Sequence, residues 1–252
     1  MKYDIMVLGG GEAPKGLEQY SDYGTKATLK MGDKLMIEPV VDALAGARGA
    51  NRLLVVGAAN PLEKLLGDKV WKILPPGNAM FETLRVGLDT FADSEFIMVA
   101  TCDIPLISAD MVSRFADAAE RSGGDICYSV IEKATFDRTY PTTKRTYGKM
   151  KDGVFTGGNL VILRPEVLLR NWDRIEEVIA ARKSPIKLAK QIGFWFIILL
   201  VLRQLRIAAV EDKIESIIGA KMKAVKVEDA EIGIDVDKVV DYELVMDVLS
   251  GK

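Results

Sequence analysis

The feature that most constrains the fold of this 252-residue chain is an apolar run, Tyr3–Leu8, that ends directly in three glycines. An apolar run of this length that stops at glycine is typical of a buried strand. The glycine-rich stretch 9–16 then predicts a loop whose backbone can take positive φ values and approach a ligand closely. Because successive backbone N–H groups form concave sites for anions, the pattern indicates a phosphate-binding loop behind the first strand.

Two familiar phosphate-binding motifs are not matched by this loop. A Walker A motif requires Lys and Ser or Thr after its last glycine, but Gly16 is followed by Leu17 and Glu18. In a dinucleotide fingerprint, Pro14 would stand where the third glycine belongs, and the predicted second strand, 52–56, ends without the acid that binds a ribose. The sequence therefore disfavours a P-loop and an NAD or FAD site.

Composition narrows the chemistry further. The chain has 34 Lys and Arg residues against 36 Asp and Glu, a net charge of -2, so we expect small ligands and no nucleic-acid partner. It contains no histidine, which excludes a Ser-His-Asp triad, a His zinc site and a His general base. The chemistry must then rest on carboxylates, lysines and a metal.

The cysteines and the first residues bear on location. Cys102 and Cys127 lie in strand-like segments without metal-ligand spacing, which predicts a reduced, cytoplasmic protein. The first residues, Met1–Asp4, lead at once into a short strand and lack the pattern of a signal peptide, so we expect no export.

Strand and helix signals alternate along the first half of the chain. This alternation predicts an α/β fold with a parallel sheet and helices on both faces. We expect a single domain, 1–252, with an inserted arm around 132–152 and a helical, acceptor-side segment around 165–220. The predicted strands are 3–8, 52–56, 70–74, 96–100, 125–131, 160–163, 224–227 and 232–234, and the predicted helices include 35–47, 61–66, 79–91, 108–121, 165–178, 185–205, 212–218 and 238–249.

One aspartate stands out in this pattern. Asp103 follows the predicted strand 96–100 and precedes Pro105, which fixes the chain direction. Ligands of open α/β sheets bind at the carboxyl ends of the strands. Asp103 is therefore the strongest single candidate for a functional side chain.

Five motifs, in order and at fitting distances from Tyr3 to Leu249, resemble the nucleotidyltransferase superfamily. That group includes the molybdenum-cofactor guanylyltransferases and the sugar-phosphate and methylerythritol-phosphate cytidylyltransferases. The motifs are Leu8-Gly9-Gly10-Gly11 with Lys26, the turn and helix Gly77–Leu88, Cys102–Leu106, Gly157-Gly158-Asn159, and Ile234–Asp237 with Asp241-Tyr242.

The resemblance implies a three-layer α/β/α sandwich with a mixed, mostly parallel sheet, of the Rossmann-related, nucleotide-diphospho-sugar transferase-like type. It also implies a magnesium-dependent nucleotidyltransferase that moves NMP from an NTP, CTP or GTP favoured, to a small phosphorylated acceptor and releases pyrophosphate. An acceptor phosphate is already ionised, so the absence of histidine is no obstacle to such chemistry.

Residue roles follow from the same resemblance. Asp103 and Asp235 would bind Mg²⁺, with Asp237 a close competitor of Asp235, and Lys26 would stabilise charge at the α-phosphate. The residues that would bind the nucleotide are Leu8, Gly9, Gly10, Gly11, Gly77, Asn78 and Thr83, and those on the acceptor side are Gly158, Asn159 and Lys183.

The cations follow the family pattern only in part. Superfamily members usually carry an Arg shortly after the glycines, whereas the first Arg here is Arg48, and Lys15 is the nearby cation that can replace it as a catalytic residue. A second set of cations either receives the acceptor phosphate or forms a solvated surface. This set comprises Lys144, Arg145, Lys149, Lys183 and Lys187.

The longest apolar run is 194–202, well below the ~18 residues that a membrane-spanning helix needs. As a helix it would be apolar on every face, which predicts burial in the core or a homodimer contact. The alternative is a membrane-surface contact beside Arg203 and Arg206, which would suit a lipid-like acceptor.

Two other functions stay open at this point. A glycosyltransferase of related fold would use an NDP-sugar, but that class typically has Asp-x-Asp at its metal, and Asp103-Ile104-Pro105 lacks the second Asp. A catalytically inactive, nucleotide-binding regulatory module is suggested by the missing Arg.

Overall fold

The computed structural model describes residues 1–181, 196, 199 and 202–251. Its centre is an eight-stranded sheet in the order β10-β7-β9-β6-β1-β4-β5, with β8 paired to β9, beside a two-stranded ribbon of β2 and β3. The strands are β1 (Tyr3–Gly9), β2 (Lys30–Met31), β3 (Lys34–Leu35), β4 (Ala50–Gly57), β5 (Lys72–Leu74), β6 (Ile97–Thr101), β7 (Ile126–Glu132), β8 (Gly148–Met150), β9 (Gly153–Leu163) and β10 (Met222–Val227).

Helices cover both faces of this sheet, as the strand and helix alternation predicts. The helices are α1 (Ile37–Ala45), α2 (Ala59–Leu66), α3 (Met80–Thr90), α4 (Ala109–Ser122), α5 (Lys133–Thr139), α6 (Pro165–Arg170), α7 (Trp172–Ala181), α8 (Ile207–Ile218) and α9 (Val239–Leu249). One core joins the sheet to α1, α2, α4 and α9, and a second core on the opposite face includes residues of α3, α6 and α7. The three-layer arrangement is therefore confirmed.

The sheet is parallel except around one strand. β1 pairs in parallel with β4 and β6, β4 with β5, and β7 with β10. β9 runs antiparallel to β6, β7 and β8. Because β9 is reversed, its early residues lie at the same edge as the carboxyl ends of β6 and β7, so the sheet is mixed and mostly parallel.

β9 is longer than predicted because its glycines obscured the strand pattern. The sequence predicted only 160–163, whereas the strand begins at Gly153. A Cβ on Gly157 would lie 2.2 Å from the hydroxyl oxygen of Tyr128, and one on Gly158 would lie 2.4 Å from Ser129 Oγ. The glycines therefore make room for side chains of β7.

Three other predictions need correction. Residues 232–234 do not form a strand, because the chain turns as a 3₁₀ helix over Ala230–Gly233. The predicted helix 165–178 is divided at Asn171 into α6 and α7. The predicted helix 35–47 is shorter, because Leu35 pairs with Lys30 in the ribbon.

Two expectations fall mostly on residues that the structure does not describe. Lys183, Lys187 and most of the apolar run 194–202 lie outside the described residues, as does most of the predicted helix 185–205. The homodimer expectation therefore stays a prediction. Among the described residues, no helix is both long enough and apolar enough to span a membrane.

Candidate active site

The glycine loop begins where β1 ends, at the carboxyl edge of the sheet. Gly9 is buried in the last pair of β1 and β4, and Gly10 and Gly11 are exposed. None of the three has a positive φ, so that reason for the glycines was wrong. Close packing explains Gly10 instead, because a Cβ there would lie 2.7 Å from Cβ of Pro76.

The chain after the glycines folds back on itself and carries Lys26 to the loop. Glu12 and Thr25 form an antiparallel bridge, and the Lys26 N–H donates to the Gly11 carbonyl at 2.9 Å. Buried Thr28 anchors the following 3₁₀ turn, since its hydroxyl lies 2.8 Å from those of Ser21 and Thr25. The lysine stem therefore lies beside Gly11, where a Cβ would meet it at 3.7 Å.

Lys26 makes contact with two carboxylates. Its ammonium donates to Asp103 in a short ion pair and to Asp237 Oδ1 at 2.5 Å. The lysine side chain is only 13% exposed. Burial lowers the Lys26 pKa, but the charge of Asp103 and the bonds to both carboxylates outweigh burial and leave the pKa above its ordinary value. Lys26 is therefore protonated at neutral pH.

The aspartates converge from two distant parts of the chain. Asp103 follows β6, and its backbone carbonyl accepts a hydrogen bond of 3.0 Å from the Val236 N–H. That bond fixes Asp235 and Asp237 beside Asp103, so that one carboxylate oxygen of each lies within 4.8 Å of the others. The resemblance named all three residues, and the structure brings them together with Lys26.

The three carboxylates fit a hard divalent cation. Mg²⁺ prefers carboxylate oxygens and binds through one or two of them together with substrate phosphates. Asp103 Oδ1 is buried and has no hydrogen-bond partner among the described residues. An orphaned buried carboxylate oxygen is costly, and a bound cation would satisfy it.

Arg145 joins this cluster from the expected arm. Its Nη2 lies 2.5 Å from Asp235 Oδ1, and both side chains are less than one fifth exposed. Burial raises the pKa of Asp235, and Arg145 opposes that rise without cancelling it. For Asp237, burial also acts to raise the pKa, but Lys26 outweighs it and lowers the pKa below its ordinary value.

The residues expected at the base and ribose lie near the glycine loop, with Gly77 and Asn78 between β5 and α3 and Thr83 near the start of α3. The Thr83 hydroxyl accepts from the Gly77 N–H at 3.1 Å and donates to the Ala79 carbonyl at 3.0 Å, so it shapes the turn itself. The Asn78 N–H donates to Glu82 at 2.8 Å. The Asn78 side chain is exposed and makes no hydrogen bond to other described residues, which leaves its amide available to a ligand.

The remaining candidate residues, Gly158, Asn159 and Lys15, differ in burial and in their contacts. Gly158 is buried against Ser129 and Ile232, and the Asn159 amide donates to the Ile232 carbonyl at 3.1 Å. Both residues therefore hold β9 against the turn at Ile232, and their expected contact with an acceptor stays a prediction. Lys15 is exposed and forms no ion pair with any residue in the described part of the chain.

Sequence reasoning missed Tyr128, which stands close to these residues. Its hydroxyl lies against Gly157, and its pKa is raised by burial first and then by the negative charge of Asp235. β7 alternates between buried and half-buried positions, with Cys127 and Ser129 buried on one face and Tyr128 on the other. That period of two was the signal that could have placed Tyr128 beside the β9 glycines.

Comparison with known proteins finds similarity to transferases, both in a family model and in a solved structure. A model of the MobA-like NTP transferase domain matches residues 5–186. A hypothetical transferase from Thermus thermophilus is 30% identical, with a TM-score of 0.84 over 96% of this chain and 100% of the other.

Two more distant structures resemble this chain in fold. CMP:2-keto-3-deoxy-manno-octonic acid synthetase complexed with CTP is 12% identical, with a TM-score of 0.65 and 99% of both chains covered. The 2-C-methyl-D-erythritol 4-phosphate cytidylyltransferase from Thermus thermophilus is 14% identical, with a TM-score of 0.56 over 99% of this chain and 100% of that chain. At such identities the likeness supports the fold alone.

Proposed function

Because this chain belongs to the MobA-like NTP transferase domain family, we propose that it transfers NMP from an NTP to a small phosphorylated acceptor. The reaction requires magnesium and releases pyrophosphate. The single observation that carries this proposal is the convergence of Asp103, Asp235 and Asp237 with Lys26 beside the glycine loop. CTP and GTP are the favoured donors, and a neighbour of the same fold was solved with CTP.

The carboxylates would bind the metal, and the glycine loop would bind the triphosphate. Asp103 and Asp235 would hold Mg²⁺, and Asp237 is close enough to serve in place of Asp235. When bound, the metal neutralises charge on the phosphates and on the aspartates. Gly10 and Gly11 present an exposed backbone at the end of β1, where the triphosphate would lie.

Lys26 supplies the positive charge nearest to the transferred group. Its raised pKa keeps the ammonium charged, so it can stabilise negative charge that develops at the α-phosphate. In the described structure this ammonium forms ion pairs with both Asp103 and Asp237. We propose that a bound NTP takes over part of these contacts.

The acceptor phosphate requires positioning and no general base. A phosphate monoester has a second pKa near 6 and is therefore largely a dianion at neutral pH. We expect Arg145 to receive it, since a guanidinium binds phosphate through two parallel hydrogen bonds and this one lies at the carboxylate cluster. Asn159 and the glycines before it would line the acceptor side.

The state of the cysteines agrees with the expected location. Cys102 and Cys127 are both free and buried. Free thiols are usual in reducing compartments, which supports the expectation of a cytoplasmic protein.

The direct test is pyrophosphate release with Mg²⁺, each of the four NTPs in turn, and a panel of sugar, polyol and cofactor phosphates. We expect release with one NTP and at least about a hundredfold loss in Asp103→Asn, as for other groups that stabilise transition-state charge. Asp110→Asn is the matched control, because Asp110 is an exposed aspartate in the first turn of α4. NTP binding that depends on Mg²⁺, without pyrophosphate from any acceptor, would contradict the proposal and favour an inactive binding module.

A further inference from the structure

A cavity lies beside the proposed acceptor site, between α8 and the strands β7, β9 and β10. Its volume is about 330 Å³, and its walls are mainly apolar. At roughly 30 Å³ for a group the size of water or methylene, this space would hold about ten such groups. Side chains on both sides line it: Ile207, Val210 and Ile214 from α8, and Val130, Phe155 and Met222 from the sheet.

The helix above the cavity carries an apolar face that the described structure does not bury completely. Ile207, Val210 and Ile214 recur at helical spacing and all line the cavity. No residue of α8 is fully buried. An apolar face over an apolar space of this size favours an apolar ligand group, since each buried methylene favours binding.

Charges do not oppose such a ligand. Glu211 contributes a carboxylate to the lining of the cavity, and that carboxylate is paired. It accepts from Lys223 Nζ at 2.7 Å and from the Ala224 N–H at 2.8 Å. The cavity therefore presents little net charge to a ligand.

Two residues that line the cavity lie next to residues of the proposed acceptor site. Thr146 lines the cavity, and its neighbour Arg145 pairs with Asp235. On the opposite wall, Tyr128 lines the cavity and packs against Gly157, which directly precedes the expected acceptor residues. A molecule with a phosphate at Arg145 would thus have this apolar space within reach.

We propose that the phosphorylated acceptor is a monophosphate ester of an apolar alcohol, with a chain of up to about ten carbons seated in this cavity. This inference rests on the proposed function, which requires an acceptor phosphate at the same site. The apolar group would select the acceptor, and Arg145 would fix the phosphate for attack.

The test uses n-alkyl monophosphates from ethyl to octyl phosphate as probes, with Mg²⁺ and CTP. We expect KM to fall about two- to fourfold for each methylene added, because burial of one methylene gives about that factor. The dissociation constant of octyl phosphate without NTP, measured by calorimetry, should also be far lower than that of ethyl phosphate.

Variants of residues that line the cavity test whether the dependence on chain length arises there. Val210→Trp fills the cavity and should remove the advantage of octyl over ethyl phosphate, and Ala224→Leu should do so in part from the opposite wall. Ala208→Trp is the matched control, because Ala208 is exposed on the same helix and is not among the residues that line the cavity. It should leave the chain-length dependence unchanged.

The outcomes separate this inference from the proposed function. Equal KM and equal binding across the series would overturn the cavity proposal, even if short acceptors are converted. Tighter binding of octyl phosphate that Val210→Trp abolishes, with no pyrophosphate from any donor, would contradict the transferase proposal and support the apolar site.

Discussion

At the scale of single residues, Asp4 shows how a charge is kept inside this sheet. It is only 5% exposed, and its carboxylate accepts hydrogen bonds from Asn51, from the backbone and side chain of Arg52, and from Ser94. Burial acts to raise its pKa, but the bonds from Arg52 and Ser94 outweigh burial, and the pKa lies below its ordinary value. Asp4 therefore ties β1 to β4 and to the loop after α3 while it stays ionised.

We predict that Asp4→Asn lowers the free energy of unfolding at pH 7 by about 2–4 kcal/mol, because Arg52 loses a buried charged partner. The lowered pKa in the folded state gives a contribution that is complete above the unfolded pKa near 3.9 and is lost as the pH falls through the folded value. The difference between wild type and variant should shrink at pH 3. Urea denaturation at pH 7 and pH 3 measures this difference in the free energy of unfolding.

Asp93→Asn is the control for this prediction. Asp93 also pairs with Arg52, at 3.2 Å, but its side chain is 69% exposed. An exposed pair contributes about 0–1 kcal/mol. A difference between wild type and Asp4→Asn that is the same at pH 7 and pH 3 would show that the charge of Asp4 is not what stabilises the fold.

Some site residues were predictable from sequence and others were not. Asp103 and Lys26 were named because each follows a recognisable motif, but their ion pair joins residues 77 positions apart and depends on how the loops pack. Arg145 appeared only as one of several arm cations, since sequence does not show which of them faces Asp235. Sequence also does not show that the Thr83 hydroxyl bonds within its own turn, because this depends on how the turn folds.

At the scale of elements, the glycine loop is held by close packing against the turn that follows β5. Gly10 contacts Pro76, whose rigid ring gives little room, whereas the space above Gly11 is limited only by the flexible stem of Lys26. Neither glycine has a positive φ, so alanine fits the backbone at both positions. The two positions therefore differ in the room that each leaves for a Cβ atom.

We predict that Gly10→Ala raises the dissociation constant of CTP·Mg²⁺ at least about tenfold, because its Cβ would stand 2.7 Å from Pro76 and force the loop to shift. Gly11→Ala should change it less than about threefold, since its nearest contact would be an ordinary 3.7 Å. Equilibrium dialysis measures both. Equal effects of the two substitutions would contradict this account of the loop.

The sequence predicted elements well where side-chain periodicity is strong. β1, β4, β6 and α4 lie within two residues of their expected bounds, because long apolar runs and caps mark them. The predictions for β9 and for the segment that forms the 3₁₀ helix Ala230–Gly233 were wrong, because tertiary packing determines the structure of both segments. Glycines in β9 accommodate Tyr128, and the Asn159 amide holds the carbonyl of Ile232 in the turn.

At the scale of the whole molecule, the sheet order agrees with the proposal that one site serves two substrates. The parallel strands β1, β4 and β6 bring the glycine loop and Asp103 to one edge, as expected for nucleotide binding. The reversed strand β9 brings Gly157–Asn159 to the same edge from the other half of the sheet. The carboxylate cluster lies between the two halves, where donor and acceptor phosphates would meet.

The central claim is that the chain joins the α-phosphorus of an NTP to an acceptor phosphate. Phosphorus-31 NMR of a reaction with CTP, Mg²⁺ and a converted acceptor tests it most directly. We predict a new pair of coupled diphosphate resonances, one from the donor and one from the acceptor, together with one equivalent of pyrophosphate, and neither signal in Asp103→Asn. Consumption of CTP with the acceptor phosphorus unchanged would contradict the claim, because it would show hydrolysis in place of nucleotidyl transfer.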